Sequence, residues 1–230
     1  MFSYYGSKSK IVHLYPSPKY DKIIEPFAGS ARYSLKWWDR DVTIVDKYEV
    51  IIKVWKWLQQ ASKGDVLGLP KLYKGQDIRE FGLSEGETLF LSFMTGGGVA
   101  TPRWTVSSFA DYNQNQRRYH IIANNLHKIR HWKIIHCDYK SLRNNQATWF
   151  IDPPYQVGGQ HYKHSNIDYV ELSQWCQSRN GQVIVCENTK ANWLKFWPMK
   201  NNQGAKNTNT TESIWSNLRT DYHVKQLSFL

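Results

Sequence analysis

The sequence predicts an α/β fold: an open sheet with helices on both faces and a small, mainly helical insertion. Three observations predict it. Short apolar runs within residues 21–25, 42–45, 132–136, 147–151 and 182–187 read as buried strands. Several of these runs stop at or beside a carboxylate, Glu25, Asp46, Asp138 or Asp152, as strands do when they deliver acids to the rim of a sheet. Between residues 61 and 130 the strand-helix alternation lapses into Gly-rich, polar and helical pieces. With 230 residues and 41% hydrophobic content, one domain with an insertion is expected rather than two domains. Residues 1–60 and 131–230 would form the sheet domain and residues 61–130 the insertion.

In chain order, Tyr4-Tyr5-Gly6-Ser7-Lys8 is a basic, glycine-containing loop. It is either a plain N-terminal arm or a ligand contact, with Gly6 allowing close backbone approach, Lys8 a positive charge and Tyr4 a ring. Glu25-Pro26-Phe27-Ala28-Gly29-Ser30 ends a strand, turns at Gly29 and places Ser30 to cap the next helix. The following strand ends at Asp46. An acid at that position suits ribose hydroxyls, although Asp at a strand end is also a common turn former. Residues 49–59 read as a helix with Val50, Val54, Trp55 and Leu58 on one face, which is core packing.

Within the insertion, Gly96-Gly97-Gly98 marks a hinge or a place where backbone lies against a ligand. From residue 99 to 133 the basic residues are Arg103, Arg117, Arg118, Lys128, Arg130 and Lys133, against the single acid Asp111. Trp104, Phe109, Tyr112 and Tyr119 interleave with Asn113, Gln114, Asn115 and Gln116, a mixture that offers phosphate contacts, stacking and base-edge hydrogen bonds. Arg103, Arg117 and Arg118 are the expected DNA contacts. Tyr119, Ile122, Leu126 and Ile129 form a helical stripe expected in the core.

After the strand 147–151, residues 156–168 are polar and glycine-bearing, as a mobile lid should be. Residues 170–177 read as a helix, with a short helix near Trp193. Residues 201–211 read as a disordered loop, with Lys200 and Lys206 as further phosphate contacts. Residues 212–217 and 222–229 look like a closing antiparallel pair.

The net charge of +11 and a pI of about 9.5 favour a polyanionic partner such as nucleic acid, with an acidic membrane surface or charge for solubility alone as alternatives. Eleven Trp and fourteen Tyr supply stacking faces. Cys137, Cys176 and Cys186 lie in apolar contexts without metal-ligand spacing, so reduced buried thiols are expected and no metal site. No apolar signal core opens the chain and no run of about 18 apolar residues occurs, so a soluble, intracellular protein without a membrane partner is expected.

The strongest chemical signal is Asp152-Pro153-Pro154-Tyr155, where a buried strand stops at a carboxylate, two prolines and a ring. The prolines fix the backbone, leaving the Asp152 side chain and the Pro153 carbonyl as adjacent acceptors beside a stacking face. That is a receptor for an aromatic amine; the plain alternative is an acid opening a Pro-Pro turn.

Taken in order, strand-Glu25-Pro26-Phe27-Ala28-Gly29-Ser30, the strands ending at Asp46 and Asp138, and Asp152-Pro153-Pro154-Tyr155 resemble the amino-type DNA methyltransferases of the adenine-N6 group, specifically the Dam-type enzymes. The resemblance spans nearly the whole chain. It implies a Rossmann-like S-adenosylmethionine-dependent methyltransferase sheet with S-adenosylmethionine as cofactor. The counterparts of Tyr4, Tyr5, Gly6 and Lys8, and the turn from Glu25 to Ser30, would contact it. Asp46 would be the ribose-binding acid, and Asp138 with Tyr139 would hold the cofactor's adenine. Asp152, Pro153, Pro154 and Tyr155 would be catalytic, residues 61–130 the target-recognition region, and double-stranded DNA with a flipped adenine the partner. A cytoplasmic setting in a bacterial or phage-infected cell, and a link to restriction-modification, follow from the same likeness. Ala31 departs from the pattern, because the family commonly has a second glycine there. Methylation of cytosine N4 or of RNA adenine is the alternative within this chemistry, and a non-catalytic DNA-binding module is the alternative outside it.

Overall fold

Ala147-Thr148-Trp149-Phe150-Ile151 is buried at every position, so its backbone can be satisfied only between two neighbouring strands. The computed structural model, which describes residues 1–203 apart from Phe109 and Asp111, and residues 209–218, places it in that position. The parallel strands are β1 (Lys22–Glu25), β2 (Asp41–Asp46), β3 (Lys133–His136), β4 (Ala147–Ile151) and β5 (Gly181–Asn188). β4 pairs with β1 on one side and β5 on the other, while β2 and β3 extend the sheet beyond β1. Beyond β5, β6 (Trp197–Gln203) and β7 (Asn209–Ser216) pair with each other, and β7 lies antiparallel between β5 and β6. The order is therefore β3-β2-β1-β4-β5-β7-β6. It reverses direction between β1 and β4, which opens a crevice at the carboxyl ends of those strands where ligands of such sheets bind.

The helices are α1 (Arg32–Lys36), α2 (Glu49–Gln60), α3 (Lys63–Leu67), α4 (Glu85–Ser92), α5 (Tyr112–Asn125) and α6 (Tyr169–Gln177). The two-residue period of the strands sorts the core into two layers. Ile23, Ile44, Phe150 and Ile184 share one apolar cluster with Tyr33 of α1, Trp55 and Leu58 of α2 and Phe90 of α4. Ile24, Trp149, Ile151, Val183 and Val185 share the other with Leu172 and Cys176 of α6. Both faces are thus covered, and the α/β, Rossmann-like architecture is present.

The stretch 61–130 is mainly helical and packs directly on the sheet domain: Val66, Leu69, Ile78 and Tyr119 belong to the same cluster as α2. Serine capping boxes, Ser62 with Asp65 and Ser84 with Glu87, start α3 and α4. The glycine run meets the N-terminal arm rather than open solvent. A Cβ on Gly98 would stand 3.0 Å from the Tyr4 carbonyl oxygen, and the Tyr5 N–H donates to the Val99 carbonyl at 3.2 Å.

Four local expectations are corrected. Ser30 does not cap α1; its hydroxyl donates to Ser7 Oγ at 3.1 Å, and the cap position is Ala31, in the left-handed region at φ 44°. That geometry explains why glycine is the easier residue there, since a side chain in this region costs about 1–2 kcal/mol. No helix forms around Trp193, where residues 191–196 turn before β6. Residues 201–203 and 209–211 are strand rather than disordered loop, because they pair with each other as the continuation of the β6–β7 ladder, which overrides a polar local pattern. The partner of residues 212–217 is accordingly β5 and β6; the expected partner, 222–229, lies outside the described residues, as does Lys206.

Gly181 opens β5 at φ 100°, and a Cβ there would stand 2.2 Å from the Ala147 carbonyl oxygen. Gly181→Ala is expected to lower unfolding free energy by about 2–4 kcal/mol through left-handed strain and broken β4–β5 pairing, measurable by denaturant titration.

Candidate active site

At the crevice between β1 and β4 a cavity opens, and every residue named above as a cofactor contact lines it: Tyr4, Tyr5, Gly6 and Lys8, the turn from Glu25 to Ser30, Asp46, Asp138 and Tyr139. Of the expected catalytic residues, Asp152 and Pro154 line it as well while Pro153 and Tyr155 are not among its lining residues, and Tyr162, His164 and Ile167 also contribute.

The turn after β1 is built on hydrogen bonds to the next strand. Asp46, the last residue of β2, accepts from the Gly29 N–H at 3.0 Å and the Tyr48 N–H at 2.8 Å. The Trp55 indole N–H holds the Gly29 carbonyl at 2.8 Å. Burial pushes the Asp46 carboxyl up to about 6 against these two N–H groups, which pull it down. Gly29 is at φ 44°, and a Cβ there would lie 2.9 Å from the Tyr4 ring, so the N-terminal arm sits directly on the turn. Glu25 is buried with Oε2 accepting from the Ser34 hydroxyl at 2.6 Å and the Ser34 N–H at 3.1 Å. Its carboxyl is pushed up to about 8 by burial, more than the Ser34 donors offset.

Across the cavity, Asp138 accepts from the Lys140 N–H at 3.0 Å and pairs with Lys47 at 2.8 Å. Burial works to raise its carboxyl, but these partners hold it below the ordinary range. The Phe27 and Tyr139 rings lie 5.2 Å apart beside it. The Tyr139 hydroxyl is buried and has no hydrogen-bond partner among the described residues.

The turn after β4 is fixed from three sides. Glu187, at the end of β5, accepts from the Gln156 N–H at 2.6 Å; the Tyr169 hydroxyl donates to the Pro154 carbonyl at 2.8 Å; the Tyr155 hydroxyl donates to Glu212 of β7 at 2.5 Å. No described residue donates to the Pro153 carbonyl. Asp152 pairs with the Lys8 ammonium at 2.8 Å, and apart from that ion pair its Oδ1 has no hydrogen-bond partner among the described residues. Burial pushes the Asp152 carboxyl up to about 6, with Lys8 opposing and Glu212 adding to the rise. The Lys8 ammonium also lies 4.7 Å over the Tyr155 ring. Burial lowers its proton affinity, yet Asp152 and Glu212 together hold it above the ordinary lysine value. Lys8 therefore reaches the Asp152 end of the cavity, with its charge already matched, rather than offering a free cation to a ligand carboxylate.

The segment 156–168 folds over the arm. The Tyr162 hydroxyl donates to the Tyr5 carbonyl at 3.2 Å, and any Cβ on Gly6, itself at φ 69°, would fall 2.1 Å from that hydroxyl. Gly6 is thus required by the approach of the Tyr162 ring.

The basic stretch divides. Arg130 donates to the Gln59 and Ala61 carbonyls, Lys133 pairs with Asp41 at 3.4 Å and Lys128 lies over the Trp38 ring, all contacts within the fold. Arg103 and Arg117 are exposed and Arg118 half-buried, and none of the three forms an ion pair among the described residues. Phe109 and Asp111 lie outside the described residues.

Glu212, Tyr15, Glu187 and Tyr162 belong to this site without having been singled out in the sequence. Glu187 carried a readable signal, an acid ending an apolar run like those at Glu25 and Asp46. Glu212 carried none, because its role depends on β7 pairing with β5.

No family model matches the chain, and no curated protein matches it. Among solved structures, the chain is similar to one titled "Putative methyltransferase yhhF from Escherichia coli", with 8% sequence identity, a TM-score of 0.36, and coverage of 86% of this chain and 76% of that one. Among the described residues no helix is long and apolar enough to cross a membrane, and no His, Cys, Asp or Glu cluster is arranged to hold a metal ion.

The buried Glu25 carboxyl binds a proton in the folded state that the unfolded chain releases above its ordinary value of 4.5. Folding stability from this group is therefore lost as pH rises from about 4.5 to about 8. Glu25→Gln keeps an acceptor for Ser34 and is expected to flatten that part of the stability curve, gaining on the order of 1–3 kcal/mol relative to the parent at pH 8 but not at pH 4.5, as read by denaturant titration at both values.

Proposed function

We propose that the protein is an S-adenosylmethionine-dependent DNA methyltransferase acting on the N6 amino group of adenine. The observation that carries this reading is that Asp152, one of two acceptors on the rigid turn after β4, lines the same cavity at the switch point of the sheet as a nucleoside-type pocket. The pocket fits the cofactor's parts. Asp46 at the tip of β2 is placed for a ribose diol, and Asp138 with the unpartnered Tyr139 hydroxyl for an adenine edge, beside the Phe27 ring. When bound, S-adenosylmethionine supplies an electrophilic methyl group.

The remaining chemistry belongs to the chain. An exocyclic amine on adenine is a weak nucleophile because its lone pair is delocalised into the ring. Acceptors that take its two hydrogens favour a pyramidal nitrogen and stabilise positive charge as it develops. The Asp152 carboxylate and the unclaimed Pro153 carbonyl are such a pair, held by the contacts of Glu187 and Tyr169 to the same turn. Tyr155 offers its ring to a base flipped from the duplex, replacing stacking worth about 1–3 kcal/mol. Because the Lys8 ammonium now lies on Asp152 and over Tyr155, an incoming base has to displace it.

The deciding experiment is transfer of labelled methyl from S-adenosylmethionine to duplex DNA, followed by nucleoside analysis of the product. N6-methyladenine is expected; N4-methylcytosine or label in RNA alone would replace the proposed substrate, and no transfer to any nucleic acid would remove the activity. Asp152→Ala is expected to lower turnover by about 100-fold or more while cofactor affinity stays within about threefold, since the lost acceptor serves the target amine. Asp46→Ala is expected to show the opposite split, weakening cofactor binding by about 1–3 kcal/mol in calorimetry with a smaller change in turnover at saturation.

DNA as partner is supported by the net charge of +11 and by the three arginines without ion-pair partners among the described residues. Replacing Arg103, Arg117 and Arg118 one at a time with Ala is expected to lower the salt slope of DNA binding by about one unit wherever the arginine neutralises a phosphate, and to relax specificity by about 1–3 kcal/mol at one position wherever it reads guanine. Salt titration on two duplexes separates these outcomes. Unchanged affinity and slope for all three variants would put the DNA surface elsewhere.

A further inference from the structure

Glu212 has no part in the chemistry above, yet its carboxylate stands at the centre of the catalytic cluster. It is buried on β7, 7% exposed. Its Oε1 accepts two tyrosine hydroxyls, Tyr155 at 2.5 Å and Tyr15 at 2.7 Å, and the Lys8 ammonium lies 3.8 Å away. The same ammonium is 2.8 Å from Asp152.

We propose that Glu212 is a positioning residue of the active site: it holds the Tyr155 ring in its stacking orientation and shares the Lys8 ammonium, so that Asp152 can exchange that ammonium for the target amine. The inference rests on the methyltransferase reading and deepens it. The ring of Tyr155 is tied at its far end by a charge-assisted bond in a dry site, so it cannot rotate away from the base without leaving Glu212 short of a donor. The second half of the argument concerns Lys8. A buried ammonium that loses its only carboxylate is strongly unfavourable. With Glu212 beside it, Lys8 can leave Asp152 and remain paired. Two carboxylates around one ammonium also leave one negative charge to match the positive charge that develops on the amine nitrogen.

The charged and titratable surroundings of Asp152 come from several elements. The arm contributes Lys8 and Tyr15, β1 Glu25, and β5 Cys186 and Glu187. The turn after β4 and the segment over the arm contribute Tyr155 and Tyr162, and β7 contributes Glu212. Among these, Glu212 is the group that Gln can replace without loss of a hydrogen-bond acceptor for Tyr155 and Tyr15. Glu212→Gln therefore separates charge from hydrogen bonding.

The test compares the parent, Glu212→Gln, Tyr155→Phe and the double variant, each checked for folding by denaturant titration. Glu212→Gln is expected to lower kcat by about tenfold or more with the cofactor KM within about twofold, and to move the acid limb of the kcat profile to lower pH, because a negative neighbour of Asp152 has gone. The Tyr155→Phe and Glu212→Gln effects are expected to be non-additive in both kcat and unfolding free energy. A folded Glu212→Gln enzyme with unchanged kcat and acid limb overturns the proposal, and so does additivity of the two substitutions. If the parent transfers no methyl group to nucleic acid, the functional reading falls separately, and the stability cycle still decides whether Glu212 holds Tyr155: additivity there overturns it.

Discussion

The constraint on which the rest of the structure depends is the full or partial burial of carboxylates along one edge of the sheet. Each of the five parallel strands ends at or close to an acid, Glu25, Asp46, Asp138, Asp152 and Glu187, and parallel pairing brings all five to the same edge. A buried carboxylate is tolerable only when donors surround it. The loops that leave this edge are folded to supply them. Ser34 turns its N–H and hydroxyl to Glu25, Gly29 and Tyr48 turn N–H groups to Asp46, Lys140 and Lys47 serve Asp138, Lys8 serves Asp152, and Gln156 and Asn188 serve Glu187.

The geometry of the cavity follows from that matching. The glycine turn after β1 has its shape because Asp46 draws the Gly29 N–H inward, and the Tyr4 ring then closes on the Cβ-free surface. The arm is held at its other end by Lys8, whose ammonium has no water to return to. Substitution of any one carboxylate therefore acts on a loop as well as on a ligand contact. This is why charge-conserving and hydrogen-bond-conserving variants carry more information at this edge than truncation to Ala.

The strands and α2 were legible because their signals are local: apolar runs broken by acids, and Val54, Trp55 and Leu58 at helical spacing, although in the first turn Ile51 is fully buried and the expected Val50 only partly. The residues expected at the cavity were legible for the same reason, since an acid or glycine at the end of a strand is already positioned by the strand. What was not legible is set by distant partners. Ser30 looks like a helix cap, yet Ser7 takes its hydroxyl, and the cap position falls to Ala31 in a left-handed conformation that no local pattern announces. The polar residues of β6 and β7 carry no apolar alternation, and they become strand by pairing with each other and, for residues 212–216, with β5. The cluster of basic residues was legible as composition but not in its partners, because Arg130 and Lys133, though exposed, bond within the fold.

The reversed strand β7 is where topology and chemistry meet. A sixth parallel strand beside β5 would present its amino-terminal residues to the opposite edge and its carboxyl end to the acids. Running antiparallel, β7 instead brings its early residues to that edge, so Glu212, three residues after its start, lands beside Tyr155 and Lys8. The cavity edge thereby gathers carboxylates within a protein whose net charge is +11. The two signs are separated in place. Arg103 and Arg117 are exposed outside the cavity, while the acids at its edge are held in contact with the groups that donate to them. The reversed strand thus adds a sixth acid to an edge where five parallel strands already end at or close to one.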